Sequence, residues 1–248
     1  GIGIINFDSP VTAFIGASTV VDAGGDVSVD ANLRTTVDVK AFVGAVGGGI
    51  TLGAAVAIVD DESDVSASIA AGTSSNPTLV RKAKAVYVRA ETRQEIDVLA
   101  PNVTLALAGS AAGATIVTVD LTGTTKAMTG DYVYLGQAAG NKVGSLAVVA
   151  TGVYEADLDG WAVAAGPGTL TANVVLATIK PVIQASIGMY NLIYATGYVS
   201  VRSNVEGDAN VDTYGVSIGF GGAAGASIST ATLTPDIDTF IGSNTSLN

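Results

Sequence analysis

Seven carboxylates stand at spacings that could do chemistry. Asp60, Asp61, Glu62 and Asp64 crowd one turn, and Glu155, Asp157 and Asp159 alternate just ahead of Gly160. Hard oxygen ligands on a glycine-ended turn suit Ca²⁺, so these seven are the candidate metal ligands. The plainer reading is two solvated acidic turns that keep strand ends soluble. It is preferred, because neither run matches an EF-hand loop or the Gly-Gly-x-Gly-x-Asp calcium repeat. A glycosidase or lyase would need acids converging on one groove with Arg, Lys or His. No such set recurs along the chain. No cofactor is expected apart from a structural Ca²⁺ at these turns.

The rest of the composition narrows the chemistry further. Histidine and cysteine are both absent. That removes the commonest general base, the Ser-His and Cys-His nucleophile pairs, disulfides and thiolate metal sites. No catalytic residues are assigned, and the chain reads as a non-enzyme. A net charge of −11 opposes nucleic-acid binding, which requires clustered Lys and Arg. Arg81-Lys82-Ala83-Lys84, with Arg89 and Arg93, is the one basic run. It reads as a solvated face with Glu91, Glu95 and Asp97 interleaved, or as a docking patch for an acidic partner such as a second copy. Glycine clusters such as Gly44-Ala45-Val46-Gly47 lie between strand-like runs and lack the Lys-Ser/Thr end of a phosphate loop. Of two glycosylation triplets, at Asn102 and Asn244, the first falls in a strand-like region, which leaves Asn244 as the candidate.

The elements that must carry these residues follow a repeat. A short alternating strand ending in a small residue recurs with Ala13, Ala67, Ala127, Ala185 and Thr239 at its second place, in steps of 54, 60, 58 and 54. A Val-x-Val-like marker beginning at Val27, Val86, Leu146 and Val199 keeps the same beat, in steps of 59, 60 and 53. Fixed periods in this range mark repeat architectures. One domain over 1–248 is expected, with repeats near 11–66, 67–126, 127–184 and 185–242.

Each repeat holds one long uncharged stretch, at 41–59, 99–119, 160–179 and 214–235. The first is long enough to span a membrane as a helix, but five of its nineteen residues are Gly and most of the others are Val, Ile and Ala. Strands are expected instead, and no transmembrane helix. Gly47-Gly48-Gly49, Ala111-Ala112-Gly113, Gly166-Pro167-Gly168 and Gly221-Gly222 would bend each stretch midway. The flanking alternation predicts strands covered on both faces. One repeat thus reads strand, glycine bend, strand, acidic turn, marker strand, loop. With 31 Gly but 5 Phe and 1 Trp, such a core needs backbones brought close together. The third repeat is the least regular. Trp161 and the second-half tyrosines, Tyr154, Tyr190, Tyr194, Tyr198 and Tyr214, could line a glycan groove.

The string Val20-Val21-Asp22-Ala23-Gly24-Gly25-Asp26-Val27-Ser28-Val29-Asp30-Ala31, the run Val46 to Ile58 and the later Ala-x-Ile-Gly resemble the repeats of large bacterial surface adhesins of the filamentous-haemagglutinin and leukotoxin-like type. The resemblance implies a secreted, right-handed parallel β-helix used as a stalk or adhesive fibre. It carries over no functional residue. The chain opens on Gly1-Ile2-Gly3-Ile4 without a basic leader, so a processed form or an excised piece is expected. The expectation is therefore an all-β, β-solenoid-like cell-surface protein. It would form a homo-oligomer or polymer through its open ends, with cell-surface glycans as the alternative partner.

Overall fold

The computed structural model describes residues 1–137 and 140–248. Among them there is no helix, and every pairing between named strands is parallel. The chain opens with β1 (Ile2–Phe7), β2 (Val11–Ile15) and β3 (Val20–Asp22). It runs out along β4 (Val27–Lys40) and β5 (Val43–Gly47), back along β6 (Thr51–Asp61), and on through β7 (Val65–Ile69) and β8 (Thr78–Lys82). The same course follows in β9 (Val86–Ala106), β10 (Ser110–Leu121), β11 (Thr124–Thr129) and β12 (Val133–Leu135). β13 (Leu146–Ile179) carries the outgoing and return arms as one strand, before β14 (Val182–Ile187) and β15 (Leu192–Ile193). β16 (Val199–Leu233) does so again, before β17 (Asp236–Ile241) and β18 (Ser246–Leu247).

Three sheets result. Both arms form an eight-stranded sheet, the marker strands form a five-stranded sheet in the order β17-β14-β11-β7-β2, and a second five-stranded sheet runs β18-β15-β12-β8-β3. The sequence beat is the pairing register. Ala13, Ala67, Ala127, Ala185 and Thr239 are successive partners, as are Val27, Val86, Leu146 and Val199. Polar corners tie one pass of the chain to the next. Buried Asn191 accepts from Val133 N at 2.6 Å and donates to Gly130 O at 3.0 Å and Gly188 O at 3.2 Å. Among the described residues no helix is long and apolar enough to cross a membrane.

Where the three sheets face one another, the core is aliphatic. Ile69, Leu121, Leu135, Leu146, Leu158, Ile183 and Ile187 are fully buried there. Tyr154 joins them by lying against Gly152, where an added Cβ would stand 2.6 Å from the tyrosine ring. Beyond this body the outgoing and return arms continue alone, face to face, as a thin blade. Its interior holds only small side chains, the buried Ala106, Ala111 and Ala164 together with Thr and Asn. Asn102 Nδ2 donates across to Ala114 O at 2.8 Å, and Ser217 Oγ to Ala224 O at 2.7 Å.

Two expectations change here. The second bend lies at 107–109, where the two strands part, and Gly113 sits within β10. Gly113 aligns with Gly53 within the paired strands, and a Cβ on Gly53 would stand 2.7 Å from Asn102 Oδ1, so Gly53 serves close approach of the arms, whereas a Cβ on Gly113 would find ordinary contact at 3.5 Å. The uncharged stretches are also covered on one face only. Their inner faces meet, while Leu52, Leu107, Leu170, Ile218 and Ile228 stand exposed outside.

Candidate functional site

The acids of the first turn do not converge. Asp60 points outward beside Asp120, its register partner, while Asp61 points inward and is fully buried in line with Phe7 and Leu121. Asp61 Oδ1 accepts from Ser63 N at 2.9 Å, and Asp64 Oδ1 accepts from Thr124 N at 2.7 Å. These two carboxylates brace the corner, and Glu62 is exposed between them. Burial, with Asp60 alongside, pushes the Asp120 carboxyl up. Strand alternation turns Asp61 to the face opposite Asp60, and β6 ends there, leaving Glu62 and Asp64 on the connection to β7.

The second run behaves differently. Glu155, Asp157 and Asp159 alternate on β13, so all three face outward on one side. Register places Asp157 between Asp97 and Asn210 and brings Asp38 in line beyond Asp97. Glu155 likewise lies between Glu95 and Asp208. The result is an open groove of about 1100 Å³ across β4, β9, β13 and β16, floored by stacked carboxylates. The groove is only partly neutralised. Arg93 Nη2 lies 3.1 Å from both Glu95 and Glu155, Arg34 Nη2 is 3.3 Å from Glu95, and Lys40 Nζ is 2.7 Å from Asp38.

Titration follows this uneven pairing. Hydrogen bonds from Arg93 and Arg34 hold the Glu95 carboxyl below its ordinary value. Partial burial, then the charges of Asp157, Asp212 and Asp97, pushes Asp159 up. Like charges directly opposed on neighbouring strands destabilise the sheet. Among the described residues no three acids are placed to hold one metal ion.

Beside the groove the outer face turns aromatic. Trp161 aligns with Tyr214, and the two share a cleft of about 370 Å³ with Asp159, Ala162, Val163 and Val216. Pro101 precedes Trp161 in the same row. The other tyrosines lie elsewhere. Tyr154 is inside the core, with its hydroxyl pushed up to about 12 by burial, and Tyr190 stacks on Tyr132 at a corner with centroids 5.0 Å apart. The basic run is spread out too. Arg81 faces Asp22 at 3.7 Å, while Arg89 faces Asp30 at 3.6 Å and lies over the Tyr87 ring. Of the glycosylation candidates, Asn102 is buried and Asn244 is exposed.

Sequence reasoning missed Asp38, Glu95 and Asp97 as partners of Glu155 and Asp157. The signal was available: applying the sixty-residue beat to the acids carries Glu95 onto Glu155 and Asp97 onto Asp157. No protein-family model, curated protein or solved structure matches the chain.

Proposed function

We propose that this chain is a non-catalytic structural protein, a β-solenoid unit of a cell-surface fibre, stalk, sheath or adhesin. The observation that carries the reading is the in-register parallel pairing of whole passes of chain, each strand bonded to the one a repeat away. Such stacking makes a long, stiff body out of local pairings alone. The chain has no histidine or cysteine, so Ser-His and Cys-His nucleophile pairs have no members in it. The outermost strands, β1 to β5 on one side and β16, β17 and β18 on the other, present open backbone edges to a further copy. Secretion and surface location rest on the resemblance of the repeats to bacterial adhesins. Negative-stain electron microscopy of the purified chain, with and without Ca²⁺, tests the proposal. Regular filaments or sheets are expected. Isolated rods at every concentration would refute self-assembly, and calcium-dependent growth would give the acidic turns a role.

A second reading has its own observation. Trp161 and Tyr214 line one cleft with Asp159 alongside, a chemistry that suits apolar contact with sugar rings and hydrogen bonding to their hydroxyls. On that reading the chain is a glycan- or host-surface-binding module. Retention on a glycan array should then be lost in Trp161→Ala, and unchanged retention would remove the reading.

A further inference from the structure

The outer face of the return arm is an apolar sheet that none of the described residues covers. It runs from Leu52 to Ile58 on β6 and across the aligned parts of β10, β13 and β16, Ile2 and Ile4 of β1 extend it beside Val56 and Ile58, and no charged residue lies on it until Asp60 and Asp120 at its base. Parallel sheets are stable with both faces covered, and exposed apolar patches of more than a few hundred Å² mark interaction sites. At the usual rise and strand spacing this face measures roughly 500 Å², so two of them would bury about 1,000 Å², the lower bound for a specific interface.

The side chains on the face point to its occupant. Along one row, Leu52, Ala112, Leu170 and Ala224 alternate large and small. In the row Val56, Ile116, Val174 and Ile228 the parity is reversed. A third row, Ile58, Thr118, Leu176 and Thr230, alternates again. A two-fold axis parallel to the strands exchanges β6 with β16 and β10 with β13 between two copies. Across these four strands it therefore sets large against small in all three rows, and sets Asp60 against Thr232 and Asp120 against Thr178, while Ile2 and Ile4 of β1 overhang the edge of the pair. The four-strand face is self-complementary under that operation, as an isologous interface must be. We infer that a second copy of this chain, running in the opposite stacking sense, packs face to face on the return arm. This lateral interface is separate from the open edges that serve end-to-end growth in the proposed function, and it does not depend on them.

Because the chain has no cysteine, single thiols report the geometry cleanly. Exposed Ala54 on β6 would oppose Ala226 of the second copy, while two copies of Ala54 would stand three strands apart. Under mild oxidation, a mixture of A54C and A226C should cross-link at least tenfold more than either variant alone. Adding L170D, which places a charge on the face without touching the core, should abolish the cross-link while circular dichroism stays unchanged. Cross-linking of A54C alone to the same extent, or none in the mixture of folded proteins, would overturn the inference. Microscopy separates the two interfaces. Filaments one stack wide would leave end-to-end growth standing and remove lateral pairing, whereas short paired plates would do the reverse.

Discussion

Body and blade are built from the same strands but with opposite polarity. In the body, Leu158, Ile183 and Ile187 fill the interior, and Asp38, Glu95 and Asp157 face water. In the blade, Asn102, Thr104, Thr171 and Asn173 lie inside, and Leu52, Leu170, Ile228 and Phe220 lie outside, the last 95% exposed. The spacing of the two layers accounts for the difference. Three sheets enclose a volume that bulky aliphatic chains must fill, while two arms pressed together leave room only for Gly, Ala, Ser, Thr and Asn. Some small polar groups in so thin a layer reach the opposite backbone, as Asn102 and Ser217 do, while the buried Thr51 and Thr169 hydroxyls make no hydrogen bond. A region whose stability comes from the inside can spend its outer face on association.

The sharpest test of that contrast is truncation. Leu158→Ala, in the body, should cost about 2–5 kcal/mol in chemical denaturation. Leu170→Ala, on the outside of the blade, should stay within about 0.5 kcal/mol for the monomer. Similar losses at both positions would mean that the blade's outer face is part of the folding core. Next in size, Asn191→Ala strips the corner of four hydrogen bonds and orphans Val133 N. A loss of roughly 2–3 kcal/mol is expected by the same denaturation assay.

Gly53→Val drives a branched side chain against Asn102 and Thr104. It should cost about 1–3 kcal/mol and open the blade to hydrogen exchange before the body. Exchange rising uniformly would contradict the separation of the two regions.

The smallest effects are in titration. Tyr154 is raised from 10.0 to about 12, so its neutral form contributes stability at neutral pH that is lost as pH climbs from 10 towards 12. Tyr154→Phe should flatten that alkaline decline. Asp159 is raised as well, by burial and its acidic neighbours, so its charged form is disfavoured in the fold. Asp159→Asn should therefore raise the melting temperature at pH 7 and lose that advantage in acid, once the native Asp159 is protonated. A gain that persists at pH 3 would assign the effect to packing.

Much of the architecture was legible in the residues. The marker strands and the Val-x-Val beat are the observed register, residue for residue, because parallel in-register pairing aligns like with like. The acid runs were legible as residues but not as sites. Asp60, Asp61, Glu62 and Asp64 looked like one cluster, and strand alternation divided them between core and solvent. Glu155, Asp157 and Asp159 gained Glu95 and Asp97 as neighbours from sixty residues away. Gly113 read as a bend because glycine is the usual signal for one, yet strand pairing carries β10 straight through it and places the bend at 107–109.

Composition and period by themselves determined an all-β chain with a repeating strand order, since a fixed beat of alternating small and branched residues has little else to form. Which face of each strand would lie inside was decided by tertiary structure. Alternation marks two faces without saying which is covered, and burial depends on what lies opposite. Along the body that is a third sheet, and along the blade it is only the other arm.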